Sequence, residues 1–192
     1  MPRSREEVRR RLQQAALELY RERGYDQTTT AAIAAKAGVT ERTFFRHFPD
    51  KREVLFDGEA ALSAALISAV ASAPHKLGPW DTLFFAFRSV EQLFVENRPF
   101  SEPRARVIAS SPALQERELA KIGSLTATLA SALRQRGVAD RLATLAAQTG
   151  IATLSHAVTS WLDDGPSNLD DHLVQAFHDV RALSSSSPNR VR

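Results

Sequence analysis

Apolar residues recur along this chain at three- and four-residue intervals, and no segment alternates apolar and polar positions as a half-buried strand does. The first stripe, Val8, Leu12, Ala15, Ala16 and Leu19, comes after Ser4 and Glu7, which have capping-box spacing, and it stops at Gly24. Thr28-Thr29-Thr30 then offers hydroxyls to cap a short helix ending near Ala37. Gly38 suits a left-handed turn there, and Thr40 is placed to cap a third helix that Pro49 ends. Asp50 and Glu53 repeat the capping spacing ahead of Val54, Leu55, Leu62, Leu66 and Val70, which predicts a long fourth helix.

Two prolines and a glycine between Pro74 and Pro79 make the clearest break in the chain. Beyond it the pattern predicts an aromatic-rich helix over about Asp81–Asn97, a break at Arg98-Pro99, and a short helix around Arg104–Ala109. Ser111-Pro112 opens a longer helix running to Gly137 with Leu114, Ile122, Leu125, Leu129 and Leu133 inward. Asp140 opens the next, Gly165-Pro166 closes it, and a last helix carries Leu169, Leu173, Val174, Phe177, Val180 and Leu183. The fold class is therefore all-α, with about nine helices. A three-helix domain over 1–55, with a helix-turn-helix at 28–48, leads through a long helix into a helical domain over 56–183. The Ser-rich residues 184–192 form a tail expected to be disordered.

Composition narrows the classes. With 43% hydrophobic and 24% charged residues in 192, the chain can bury a sizeable core. It has no cysteine, which removes disulfides, thiolate metal sites and thiol nucleophiles together. Met1-Pro2-Arg3-Ser4-Arg5 lacks the apolar core of a signal peptide, and no run reads as long enough to cross a bilayer. A cytoplasmic protein with no membrane partner is expected. The net charge of +3 divides into +4 over residues 1–55 and −1 over the remainder, as suits a nucleic-acid module joined to something else.

The segment Thr30–Phe48 has the layout of a short helix, a glycine turn and a second short helix, the arrangement whose second helix enters the major groove of DNA. Ile33 and Val39 are placed to pack the two helices together, and Phe44 and Phe48, four apart, to share a buried face. That leaves Glu41, Arg42, Thr43, Phe45, Arg46 and His47 for DNA.

In Ile33-Ala34, Ala37-Gly38-Val39-Thr40, Arg46-His47-Phe48 and Lys51 the chain resembles the tetracycline-repressor family over roughly residues 8–55. The resemblance implies a dimeric transcription regulator. It implies that Thr29 or Thr30, Thr40 and His47 bond phosphates, with Lys51 as a further charged anchor. Such contacts fix register without reading sequence. Glu41, Arg42, Thr43 and Arg46 remain for base edges, with Arg42 able to take guanine in a bidentate bond. The chain departs from the family at Phe45, where a tyrosine hydroxyl commonly reaches phosphate, and at Arg42, where many relatives carry glycine. Read without DNA, the three threonines are helix caps, and Arg42 and Arg46 are solvated charges.

Trp80, Phe84, Phe85, Phe87, Phe94 and Phe100 concentrate aromatics in one stretch, as core packing or as the lining of a pocket between helices. Arg88, Arg104 and Arg106 would give such a pocket a cationic mouth. The stretch Arg106–Leu114 resembles the C-terminal domain of mycofactocin-type regulators, which implies an acyl-CoA-like effector. The small residues of the last two long helices, Gly150 and Ser160 among them, permit close helix approach. By the family resemblance these helices, with Trp161 and Phe177, form a homodimer that addresses a palindromic double-stranded operator. Together these features imply a repressor released by a small hydrophobic or acyl-CoA-like effector. The competing class is an all-α ligand carrier or enzyme with incidental DNA affinity. No convergent acid, base or nucleophile supports an enzyme, and no Gly-rich phosphate loop or metal-ligand spacing implies a cofactor or metal.

Overall fold

The computed structural model describes the backbone of residues 2–185 and the side chains of residues 5–183. Among these residues the elements are nine α-helices, one 3-10 turn and no strand. The helices are α1 (Pro2–Arg23), α2 (Thr30–Lys36), α3 (Glu41–His47), α4 (Glu59–Ser72), α5 (Pro79–Ser89), α6 (Glu91–Ala109), α7 (Pro112–Gln135), α8 (Asp140–Asp163) and α9 (Leu169–Ser185). The 3-10 turn, Glu53–Phe56, lies between α3 and α4. Ser184 and Ser185 of the expected tail belong to α9, and the rest of that tail lies outside the described residues.

The chain forms two compact units. Among the described residues, the first joins those up to Ala60 to residues 97–121, and the second joins 61–96 to those from Ile122 onward. An expected domain boundary at residue 55 is thus corrected: the first unit is discontinuous and takes in parts of α6 and α7. In its core Leu12, Ala16 and Leu19 of α1 meet Ile33, Phe44, Phe48, Val54 and Leu55, together with Val107, Ile108 and Leu114 from the later segment. The second unit packs α8 on α9 and both on α5, around Leu83, Phe87, Leu129, Leu133, Trp161 and Phe177. There the Arg136 guanidinium donates to the carbonyls of Val70, Ala73 and Pro74 at 2.8–3.0 Å, satisfying acceptors that the end of α4 leaves over.

Three further expectations change. The fourth helix does not start at Asp50. The Asp50 carboxylate accepts from the backbone N–H of Arg52 and Glu53 at 2.7 and 3.0 Å, but the element it opens is the 3-10 turn. Gly58, at φ +113, then redirects the chain before α4.

The break expected at Arg98-Pro99 falls instead at Val90, and Pro99 and Pro103 lie inside α6. The carbonyls those prolines leave without donors, on Val95 and Pro99, belong to exposed residues where water can serve them.

Lastly, the twenty residues Glu53–Ser72 are long and apolar enough to span a bilayer by composition, contrary to the sequence reading. The interruption at Asp57-Gly58 leaves a continuous helix of 14 residues, however. That is about 21 Å at 1.5 Å per residue, against a hydrocarbon core of about 30 Å.

Candidate nucleic-acid interface

Each end of the two short helices has a local cause. Thr29 caps α2, its hydroxyl oxygen accepting from the Ala32 N–H at 3.1 Å. At the far end Gly38 sits at φ +68 and Val39 N–H returns to the Ala34 carbonyl at 2.9 Å, a turn that suits glycine because it has no Cβ. Thr40 caps α3 by accepting from Thr43 N–H at 3.2 Å, and the two hydroxyls lie 3.0 Å apart. Ile33, Phe44 and Phe48 are buried, and the rings of Phe44 and Phe48 sit 5.9 Å apart, so one face of α3 is fixed by the core as its spacing predicted.

The opposite face is open. Glu41, Arg42, Phe45 and Arg46 are exposed, Phe45 at 53%, while Thr43 is half-buried. The apolar Phe45 ring thus meets water on the same helix as two exposed arginines. The Thr30 hydroxyl donates to the Glu41 carboxylate, tying α2 to α3 and turning both groups toward each other. Thr28, buried, donates to the Gly24 carbonyl at 2.8 Å and serves the fold alone.

Lys51 turns toward the loop before α2. Its ammonium donates to the carbonyls of Tyr25, Asp26 and Thr28 at 2.8, 3.3 and 2.8 Å and lies 4.3 Å from the centre of the Tyr25 ring. In this arrangement the ammonium clamps the loop before α2. Tyr20 completes the clamp by donating to the Lys51 carbonyl at 2.5 Å, and its burial pushes the phenol pKa upward.

His47 closes α3 with only 8% of its surface exposed, and its Nδ1 is buried without a partner. Burial, and then the charges of Arg46, Arg5 and Arg9, hold its pKa below the ordinary histidine value, with Asp57 opposing. The ring is therefore neutral near pH 7. Arg9 explains part of that setting. It makes a two-pronged ion pair with Asp57, which also accepts from Gln13 at 3.2 Å, and its guanidinium lies 4.9 Å from the centre of the Phe48 ring.

A denser ionic cluster holds the discontinuous segment of this unit. Arg117 donates to Glu53 at 2.8 and 3.0 Å and to Glu59 at 2.7 Å. Arg104 donates to the Leu55 carbonyl at 2.5 Å and to Glu118 at 2.6 Å. Both guanidiniums lie against the Phe56 ring, at 4.8 and 4.6 Å from its centre.

That cluster decides part of the ligand-site expectation. Phe100 packs on the core of the first unit, Arg104 is held by Leu55 and Glu118, and Arg106 pairs with Glu102 at 2.6 Å. Trp80, Phe84, Phe87, Arg88 and Phe94 belong to the second unit. Phe87 is fully buried as core, and Trp80 and Phe84 stack on Phe177 with ring centres at 4.4 and 4.9 Å. Arg88 forms a two-pronged pair with Asp170 and lines an open groove of about 560 Å³ with Leu77, Asp81, Phe84, Phe85, Ser89 and Glu91.

The expected dimer residues also move. Gly150 is buried against Leu83 and Phe87, Trp161 donates its indole N–H to the Ser167 carbonyl at 3.0 Å, and Phe177 is 1% exposed. These three are interior to their own unit and offer no face to another chain. Ser160 is half-buried.

One Ser-His-Asp grouping does occur, but Ser167 and Asp164 approach the same nitrogen, Nε2 of His172, at 3.2 and 3.3 Å. A relay needs the carboxylate on the other nitrogen. Among the described residues no three His, Cys, Asp or Glu side chains converge as a metal site requires.

Residues 12–57 match the sequence profile of the bacterial regulatory proteins of the tetR family, and residues 77–184, more than half of the chain, match that of the MftR C-terminal domain. The chain belongs to the tetR family. This tetR-family chain is 39% identical over 83 residues to the HTH-type transcriptional regulator TcmR of Streptomyces glaucescens, a match covering 43% of the chain. It spans little more than a third, 37%, of that curated relative.

Among solved structures, a TetR-family transcriptional regulator of Syntrophomonas wolfei superposes with a TM-score of 0.67 at 19% identity, covering 93% of this chain and 95% of its own. The Thermus thermophilus FadR, a TetR-family transcriptional repressor in complex with lauroyl-CoA, superposes at 0.56 with 25% identity, covering 96% and 97%.

Proposed function

We propose that this chain is a transcriptional repressor that binds a palindromic operator as a homodimer and leaves it when a small hydrophobic or acyl-CoA-like effector binds. The observation that carries the reading is the third helix: Phe44 and Phe48 anchor one face in the core, and Arg42, Phe45 and Arg46 stand exposed on the other. A single helix of two turns reads one half-site, so specific binding calls for a second copy. Support for a dimer face comes from Leu142 and Leu145 on α8 and Val174 on α9, which are 48, 57 and 46% exposed. The lauroyl-CoA held by the Thermus thermophilus relative supports an acyl-CoA as the effector class. The cytoplasm is the compartment such a repressor requires.

Fluorescence anisotropy on duplexes selected from a random pool tests the DNA half. Arg42→Ala is expected to weaken the selected site about ten- to a hundredfold and a mixed-sequence duplex far less. Equal affinity of the wild-type chain for selected and mixed duplexes would overturn specific regulation. A thermal-shift series tests the effector: acyl-CoAs raise Tm, whereas a response to neutral hydrophobes alone removes the anionic class.

A further inference from the structure

Four residues of α3 stand exposed, and three of them carry charge. Phe45 is the exception. Its ring is 53% exposed and has no hydrogen-bonding atom, so it can bond neither a phosphate nor the polar edge of a base. Single exposed apolar side chains are ordinary on protein surfaces. What sets this one apart is how it is held. It meets the Phe44 ring edge to face, with centres 5.4 Å apart and planes at 85°, and Phe44 is itself fully buried 5.9 Å from Phe48. The open ring therefore stands on a base fixed by the core, and little conformational freedom is lost when something covers it.

Its neighbours are of another kind. The Glu41 carboxylate accepts from Thr30, the Thr43 hydroxyl lies 3.0 Å from that of Thr40, and Arg42, three positions before Phe45, brings a guanidinium to the same side of the helix. In the major groove of DNA every base presents hydrogen-bonding atoms, and thymine alone of the four adds an apolar group, the methyl at C5. A phenyl ring laid on a polar edge strips water from groups it cannot bond. Laid on the methyl group, it takes apolar surface out of water on both sides.

We propose that Phe45 reads the 5-methyl group of a pyrimidine in the major groove, so that the affinity of this chain for its operator depends on that methyl group. The proposal rests on the DNA-binding reading given for α3. The methyl group has two sources. Thymine always carries it, and 5-methylcytosine carries it at the same ring position. A ring without donors or acceptors cannot tell the two bases apart by their exocyclic oxygen or amine. A contact made to the methyl group alone therefore makes binding responsive to cytosine methylation as well as to thymine.

The test uses the full chain and a duplex selected from a random pool, with affinity read by fluorescence anisotropy. Each thymine of either strand is replaced in turn by deoxyuridine, which removes the methyl group and leaves every hydrogen-bonding atom in place. The expected result is a position where the wild type loses about fourfold, or about fifteenfold when the methyl group is removed from both half-sites. At that position Phe45→Ala binds the thymine and deoxyuridine duplexes equally, and Phe45→Leu, which restores an apolar side chain, recovers part of the difference. With cytosine placed there instead, its 5-methyl derivative is expected to bind the wild type tighter by a similar factor. A thymine effect without one on 5-methylcytosine restricts the source to thymine and overturns the response to cytosine methylation. A selected duplex that binds specifically with no methyl-dependent position, or with one that Phe45→Ala leaves intact, overturns the role of Phe45 and spares the DNA-binding reading. Equal affinity of the wild type for selected and mixed-sequence duplexes overturns both.

Discussion

Replacing Lys51 with methionine separates two roles that the family pattern and the observed geometry assign to the same side chain. Methionine keeps most of the apolar stem and removes every donor. The two 2.8 Å bonds to Tyr25 and Thr28 carbonyls are charge-assisted and partly solvated, the 3.3 Å bond to Asp26 adds little, and the Tyr25 ring contact adds a few tenths of a kcal/mol. Water recovers part of the loss at the freed carbonyls, which leaves a cost of about 2–3 kcal/mol. For a chain of this size that lowers Tm by roughly 4–12 °C, read by circular dichroism or calorimetry. The salt dependence of duplex affinity stays unchanged, because the ammonium neutralises no phosphate. An unchanged Tm combined with a slope reduced by about one would refute the clamp and restore Lys51 to the DNA backbone.

Phe44→Ala, by emptying a fully buried position beside Phe48, is expected to cost about 3–5 kcal/mol and to abolish duplex binding through unfolding of the first unit, visible as an early calorimetric transition. Glu118 is half-buried, which opposes its ionisation, but Arg104 and Lys121 outweigh that and hold its carboxyl below its ordinary value of 4.5. Its stabilising contribution is present above that value and fades as pH falls through the folded pKa. Acid melts of Glu118→Gln should therefore show a shallower loss below pH 4.5 than the wild type. Leu145→Glu places a charge at the proposed dimer face and should give a monomer mass in light scattering with Tm little changed; an unaltered oligomer would locate the interface elsewhere.

How much was legible depends on the distance over which each feature is determined. The Thr29 and Thr40 caps, the Gly38 turn and the Phe44–Phe48 pair each involve residues within a few positions, and the sequence reading placed all of them. Arg9 with Asp57 and Arg117 with Glu53 join residues 48 and 64 positions apart, and nothing in a surface-looking arginine announces such a partner. Lys51 is the converse case: its motif position points to the family's role, and its contacts to a loop some 25 residues upstream are invisible in the motif. The break expected at Arg98-Pro99 fails because a proline's local penalty is small where the carbonyl it leaves over belongs to an exposed residue. The aromatic cluster of α5 could not be divided into core and groove until its register against α8 and α9 was known.

The discontinuity of the first unit bears on how the chain is made. Its recognition helix is encoded by residue 47, yet the core beneath is closed by Val107, Ile108 and Leu114, and Glu53 and Glu59 find their arginine only at Arg117. On the ribosome this helix therefore emerges well before the segment that completes its core. In the interval it depends on a loop of intervening chain being closed before Val54, Leu55 and Phe56 are fully sheltered. A fragment ending at Ala60 would carry the whole helix-turn-helix signature and still lack the partners that hold its final turn.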